Sequence, residues 1–212
     1  MPSVSGSHHK LEVPDYPRLR KEAEDAVKDE LGRMARPDDR VERAAEVIRQ
    51  ADLEIAAHVD DRNKFAASLW FYERTRGLPK VMGLTTNAYR QALYRALYGI
   101  DPRSRKDTDP FPAELPASQG AQAEESLDKI AARAGIPHFD PAYAGERLPE
   151  LSRIVAEAAA RRKVALEFLQ DGALALSEEP YGWDGYRIAE HAGVSVKLVW
   201  KHWAVARKRR GH

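Results

Sequence analysis

Thr86, Asn87, Arg90 and Gln91 recur at the spacing that puts side chains on one side of a helix, and Thr85 just before them is an N-cap residue type. Amides form paired hydrogen bonds with the adenine edge, and guanidinium groups do so with guanine. Such a row is therefore chemically suited to reading base edges in the major groove of DNA. A second row, Val196, Lys197, Trp200 and Lys201, follows the capping residue Ser195 and combines two cations with two apolar side chains. Arg207, Lys208, Arg209 and Arg210 continue from it, and Tyr186 and Arg187 lie just upstream. Arg95, Arg103, Arg105 and Lys106 extend the first row with cations suited to phosphate oxygens.

These rows hold nearly all of the excess positive charge. Arg74 to Lys106 contains eight Lys or Arg (Arg74, Arg76, Lys80, Arg90, Arg95, Arg103, Arg105, Lys106) against Asp101 alone, a net of +7. Tyr186 to His212 contains seven (Arg187, Lys197, Lys201, Arg207, Lys208, Arg209, Arg210) against Glu190, a net of +6. The 212-residue chain totals +1, so the remainder stands at −12. Two basic segments on an acidic scaffold point to a polyanionic partner, double-stranded DNA above all.

Catalytic chemistry has little to stand on. Cysteine is absent, which removes disulfides, thiolate metal sites and thiol nucleophiles. The histidines (His8, His9, His58, His138, His191, His202, His212) form no ligand pattern with a third donor, and neither a phosphate-cradling glycine loop nor a nucleophile elbow occurs. No enzyme activity and no cofactor are expected. No apolar run suits a membrane span and no hydrophobic signal segment opens the chain, so a cytoplasmic, nucleoid-associated location is expected.

The stretch from Asp184 to Trp203, DGYRIAEHAGVSVKLVWKHW, resembles the helix-turn-helix pattern shared by many bacterial repressors and by the promoter-reading region of sigma factors. The likeness covers about 20 residues and is to a motif rather than to one family. It implies that Asp184 caps a first helix, Ile188 and Val199 face the core, Ala189 sits at the helix crossing, Gly193 permits the turn, and Trp203 closes the far end. Val196, Lys197, Trp200 and Lys201 would then point outward. Leu78 to Leu93 offers a better reading surface on a poorer scaffold. Pro79 shortens its first helix, so it is either an irregular motif within residues 78–98 or a loop entering an ordinary helix.

An offset of 110 residues aligns Gly83 with Gly193, Leu78 with Ile188, Thr85 with Ser195, Tyr89 with Val199, Leu93 with Trp203 and Asp61 with Asp171. An internal duplication is therefore expected, with two unlike half-sites about one turn of DNA apart. Lys129 to Ile136 echoes the first half of the motif, but Pro137 and Pro141 occupy the place of a recognition helix, so it is expected to be structural.

The elements that must carry these rows are helical throughout, because no alternating strand pattern of useful length occurs. The expected architecture is all-α, with two helical domains each ending in a helix-turn-helix unit. A flexible leader (1–14) precedes an N-terminal domain (15–100). There a charged helix runs from Tyr16 to Met34. Asp38 and Asp39 cap a helix with Val41, Ala44, Ala45, Ile48, Ile55 and Val59 as its stripe. Asp60-Asp61 caps another with an aromatic face of Phe65, Leu69, Trp70 and Tyr72, ended by Gly77. A Pro-rich linker (101–120) separates the C-terminal domain (121–206). There a helix near residues 123–134 and a loop through Pro137, Pro141 and Gly145 lead to a long helix from Pro149 to about Gln170, broken at Asp171-Gly172. A basic tail (207–212) closes the chain.

The function expected is site-specific DNA binding, most simply as a bacterial transcriptional regulator. Plasmid or phage DNA segregation or packaging would use the same chemistry. Two rival readings come from other classes: a sigma-like factor whose apolar surface around Trp200 meets RNA polymerase, and a helical interaction module, dimerising through the long helices, in which the basic segments are incidental.

Overall fold

Two sites that suggest helix ends, Asp60-Asp61 and Asp171-Gly172, lie inside helices instead. The computed structural model describes residues 11–99, 129, 131–132 and 134–211, and every regular element among them is an α-helix. These are α1 (Tyr16–Gly32), α2 (Pro37–Phe71), α3 (Leu78–Val81), α4 (Thr86–Tyr98), α5 (Pro141–Ser177), α6 (Gly185–Ala192) and α7 (Val196–Arg209). Among the described residues no helix is long and apolar enough to cross a membrane.

Helix α2 runs through Asp60-Asp61 without a break. An Asp inside a helix costs only about 0.7 kcal/mol relative to Ala, whereas the following turns bury Phe65, Ala66, Ala67, Leu69 and Phe71, each large side chain contributing about 1.5–3 kcal/mol. Burial outweighs propensity. Helix α5 likewise passes through Asp171-Gly172, and it begins at Pro141 rather than Pro149, which lies inside it. A Cβ at position 172 would stand 2.6 Å from Val41 Cγ2, so Gly172 serves a close helix approach and not a helix end. A Cβ at Gly145 would meet Leu11 Cδ2 at 2.9 Å, so this glycine too makes room for a packed side chain, and Leu11 of the expected leader belongs to a core cluster. Asp140, whose Oδ1 accepts from Tyr143 N at 2.9 Å, caps α5.

The chain folds into two compact units, each drawn from two separated stretches rather than from consecutive halves. Unit 1 comprises Met1–Asp15 and Ala57–Ile154, and unit 2 comprises Tyr16–Ala56 and Val155–His212. The expected linker, residues 101–120, lies outside the described residues. Unit 1 holds α3 and α4 against a cluster that includes Phe65, Leu69, Phe71, Leu78, Met82, Leu93 and Leu148. Its Lys129 to Ile136 echo ends in a turn at Gly135 (φ 70°), tied down by Tyr72, whose hydroxyl donates to Ile136 O at 2.9 Å. Unit 2 holds α6 and α7 against Val27, Leu31, Val41, Val164, Leu169, Leu176, Ile188 and Val199. Its long helices are matched in charge, with Arg162 to Asp52 at 2.6 Å, Lys163 to Glu24 at 3.1 Å, Arg43 to Glu30 at 2.6 Å, and Arg161 paired with Glu54.

Candidate functional site

Each unit carries a corner in which one helix turns into a second helix with an exposed polar face. In unit 1, Gly77 (φ 78°) opens α3, Pro79 occupies its first turn, and Gly83 (φ 62°) makes the turn toward α4. Leu84 N donates to Pro79 O at 2.9 Å and Gly83 N to Lys80 O at 3.1 Å. Thr85 is extended, and its Oγ1 accepts from Ala88 N at 3.2 Å, which satisfies one of the open donors at the start of α4. In unit 2, Asp184 caps α6 by accepting from Arg187 N at 2.8 Å, and Gly193 (φ 63°) turns the chain. Val194 N donates to Ala189 O at 3.0 Å, Gly193 N to Glu190 O at 3.2 Å, and Ser195 Oγ accepts from Leu198 N at 3.3 Å. These bonds match those of the first corner, pair by pair, at the 110-residue offset. Both glycines sit in the left-handed region that a side chain would strain.

The inward faces follow helical periodicity. Tyr89, Ala92, Leu93 and Leu97 are buried on α4, as are Val199, His202 and Ala206 on α7. What remains outward on α4 is Thr86, Asn87 and Arg90, with Arg95 further along and Gln91 half-buried at the edge. On α7, Lys197, Trp200, Lys201, Arg207 and Lys208 are exposed. Val196 departs from expectation, since it packs half-buried against the unit 2 cluster while Leu198 is exposed. The signal was available, because Val196 lies three residues before buried Val199 and so shares its face.

The basic tail also divides. Residues 207–209 form the last turn of α7, and two of the four cations are engaged by the scaffold. Arg209 donates to Gln170 Oε1 at 2.9 Å and pairs with Asp171 at 3.1 Å, while Arg210 pairs with Glu178 at 3.1 Å. Arg207 and Lys208 have no ion-pair partner among the described residues, nor do Lys197, Lys201 and Arg90. Arg187 is also committed, lying over the Trp183 ring at 4.0 Å, and Tyr186 beside it is exposed. Arg103, Arg105 and Lys106 lie outside the described residues.

The second corner is held by polar bonds as well as packing. Arg49 Nη1 donates to Ala192 O at 3.2 Å, His191 Nε2 lies 3.0 Å from Asp38 O, and Trp203 Nε1 donates to Ala173 O at 2.9 Å. Each corner buries one titratable group without a hydrogen-bond partner, Tyr89 through its hydroxyl and His202 through Nε2. Burial raises the Tyr89 phenol well above its ordinary value. Burial, with Lys201 adding to it, lowers the His202 imidazole. Among the described residues no group of three His, Asp or Glu is placed to hold a metal ion.

Chemically, each corner displays donors and cations on a helix that its own unit leaves open. Comparison with family models, curated proteins and solved structures finds no match to this chain.

Proposed function

We propose that the protein is a site-specific double-stranded DNA-binding protein that uses its two corners as helix-turn-helix units and acts by binding rather than catalysis. One observation carries the reading. Helices α4 and α7 contain no acidic residue, and Arg90, Lys197, Lys201, Arg207 and Lys208 project from them with no ion-pair partner among the described residues, whereas Arg43, Arg161, Arg162 and Lys163 of the long helices are each matched by an acid. Unmatched cations on an exposed helix gain most from a polyanion, since phosphate contact releases counterions and adds charge-assisted hydrogen bonds. Thr86, Asn87 and Arg90 are the groups suited to base edges on α4. Lys197, Lys201, Arg207 and Lys208 are suited to phosphates on α7.

The paired hydrogen bonds at a constant offset favour reading the corners as diverged copies of one unit, so the preferred DNA should contain two unlike half-sites. Transcriptional control is the simplest output of such binding. Selection of fragmented genomic DNA by the full chain at near-physiological salt tests the reading. Enrichment of a compact motif is expected, and its position relative to promoters separates regulation from segregation or packaging. Recovery of random fragments, or of none, would overturn it.

A further inference from the structure

We propose that the α6–α7 corner recognises thymine by its 5-methyl group, with Trp200 as the contacting side chain. This rests on the DNA-binding reading and names the base chemistry that one of its two corners would select.

Trp200 is 52% exposed although it lies on a helix packed against the unit 2 core. It shares the outward face of α7 with Lys197 and Lys201, and neither lysine has an ion-pair partner among the described residues. The indole is seated rather than loose. A Cβ at buried Gly185, the first residue of α6, would stand 2.8 Å from Trp200 Nε1 and 3.4 Å from its Cδ1. The indole edge bearing its only N–H is thus turned toward the α6 backbone, and glycine at 185 is what lets it lie there. Tyr186, 68% exposed, is the next residue along α6.

A carbon surface on a helix face that also carries two lysines has a specific complement. The lysines select a polyanion, and within the major groove of B-DNA the apolar group on a base edge is the thymine methyl. Hydrogen-bond donors would suit the other base edges better, and those are what α4 presents in Thr86, Asn87 and Arg90. The two corners therefore divide the work, α4 reading by hydrogen bonds and α7 by methyl contact. A protein partner for the same surface would have to bring acids to Lys197 and Lys201 as well as an apolar patch to Trp200, and binding to it would not depend on any base methyl.

The test uses the full chain and the duplex recovered in the genomic selection, with its thymines replaced singly by deoxyuridine, which lacks only the methyl. One or two positions should weaken binding by about four-fold each, the amount expected for one buried methyl group, and the others should be neutral. Trp200→Ala should weaken binding to the thymine duplex and erase the deoxyuridine penalty. Gly185→Ala, which displaces the indole without touching a lysine, should shrink that penalty while leaving the salt dependence of binding unchanged. Circular dichroism on both variants checks that the helices persist. A wild-type chain that binds every deoxyuridine duplex at full affinity, or a Trp200→Ala chain that keeps the penalty, would overturn the methyl proposal and leave DNA binding standing. Failure to bind any duplex tightly would overturn both.

Discussion

The two corners share their turn but not their means of support. In the first, α3 is four residues long and contains Pro79, too short to hold itself by its own hydrogen bonds, and it is fastened by side chains, with Leu78, Val81 and Met82 all buried. In the second, α6 has eight residues, and its end is fastened by polar contacts from Arg49 to Ala192 O and from His191 to Asp38 O. Their outward helices differ too, α4 presenting amide, hydroxyl and guanidinium groups and α7 presenting lysines and an indole. The turn is a local matter of one left-handed glycine and one capping hydroxyl, so the same turn forms in both corners although the support behind it and the surface in front of it differ.

That contrast can be broken at its core first. Leu78→Ala and Ile188→Ala remove fully buried side chains at equivalent places, and each should cost about 2–5 kcal/mol in urea unfolding monitored by circular dichroism. A cost below about 1 kcal/mol at Leu78 would mean that α3 is not held by packing. Next comes the difference in surface. Arg90→Ala should cost about 1–3 kcal/mol on the preferred duplex and relax one base position, while Lys208→Ala should weaken all sequences alike and reduce the salt slope by about 1. Equal losses on preferred and random DNA for Arg90→Ala would remove its base-reading role.

The shared turn predicts equality rather than contrast. Thr85→Ala and Ser195→Ala each delete a side chain that accepts a helix-start N–H, and each should lower stability by about 1 kcal/mol. Unequal costs would show that one cap is redundant. The smallest effect near neutrality is the pH response, and it has opposite sense in the two corners. Because His202 is held below its ordinary value of 6.5, the unfolded chain takes up the proton first, so stability is present above pH 6.5 and falls as pH drops through the lowered value. Tyr89 is raised above 10.0, so the unfolded chain loses its proton first and stability falls as pH climbs past 10.0. Thermal midpoints across pH should show both limbs, with His202→Leu flattening the acid one and Tyr89→Phe the alkaline one.

Caps, turns and helical faces were legible because each depends on residues within a few positions of one another. Thr85, Ser195, Asp184 and Gly193 take the places their chemistry suggests, and so do the outward Thr86, Asn87, Arg90, Lys197, Trp200 and Lys201. The commitments of charged side chains were not legible. Arg209 meets Asp171 from 38 residues away and Arg210 meets Glu178 from 32, and no local pattern separates these two from Arg207 and Lys208.

By itself, the amino-acid sequence determined that the chain is helical, where its corners turn and which helices lack acids, since periodicity, capping and composition act at short range. Only the tertiary structure decided that Asp60-Asp61 and Asp171-Gly172 lie within continuous helices, because long-range burial outweighs the small local cost of those residues. It alone decided that Gly172 and Gly185 make room for Val41 and Trp200, and which cations the scaffold neutralises. Those outcomes depend on atoms brought together from distant parts of the chain, and spacing along a sequence carries no record of that approach.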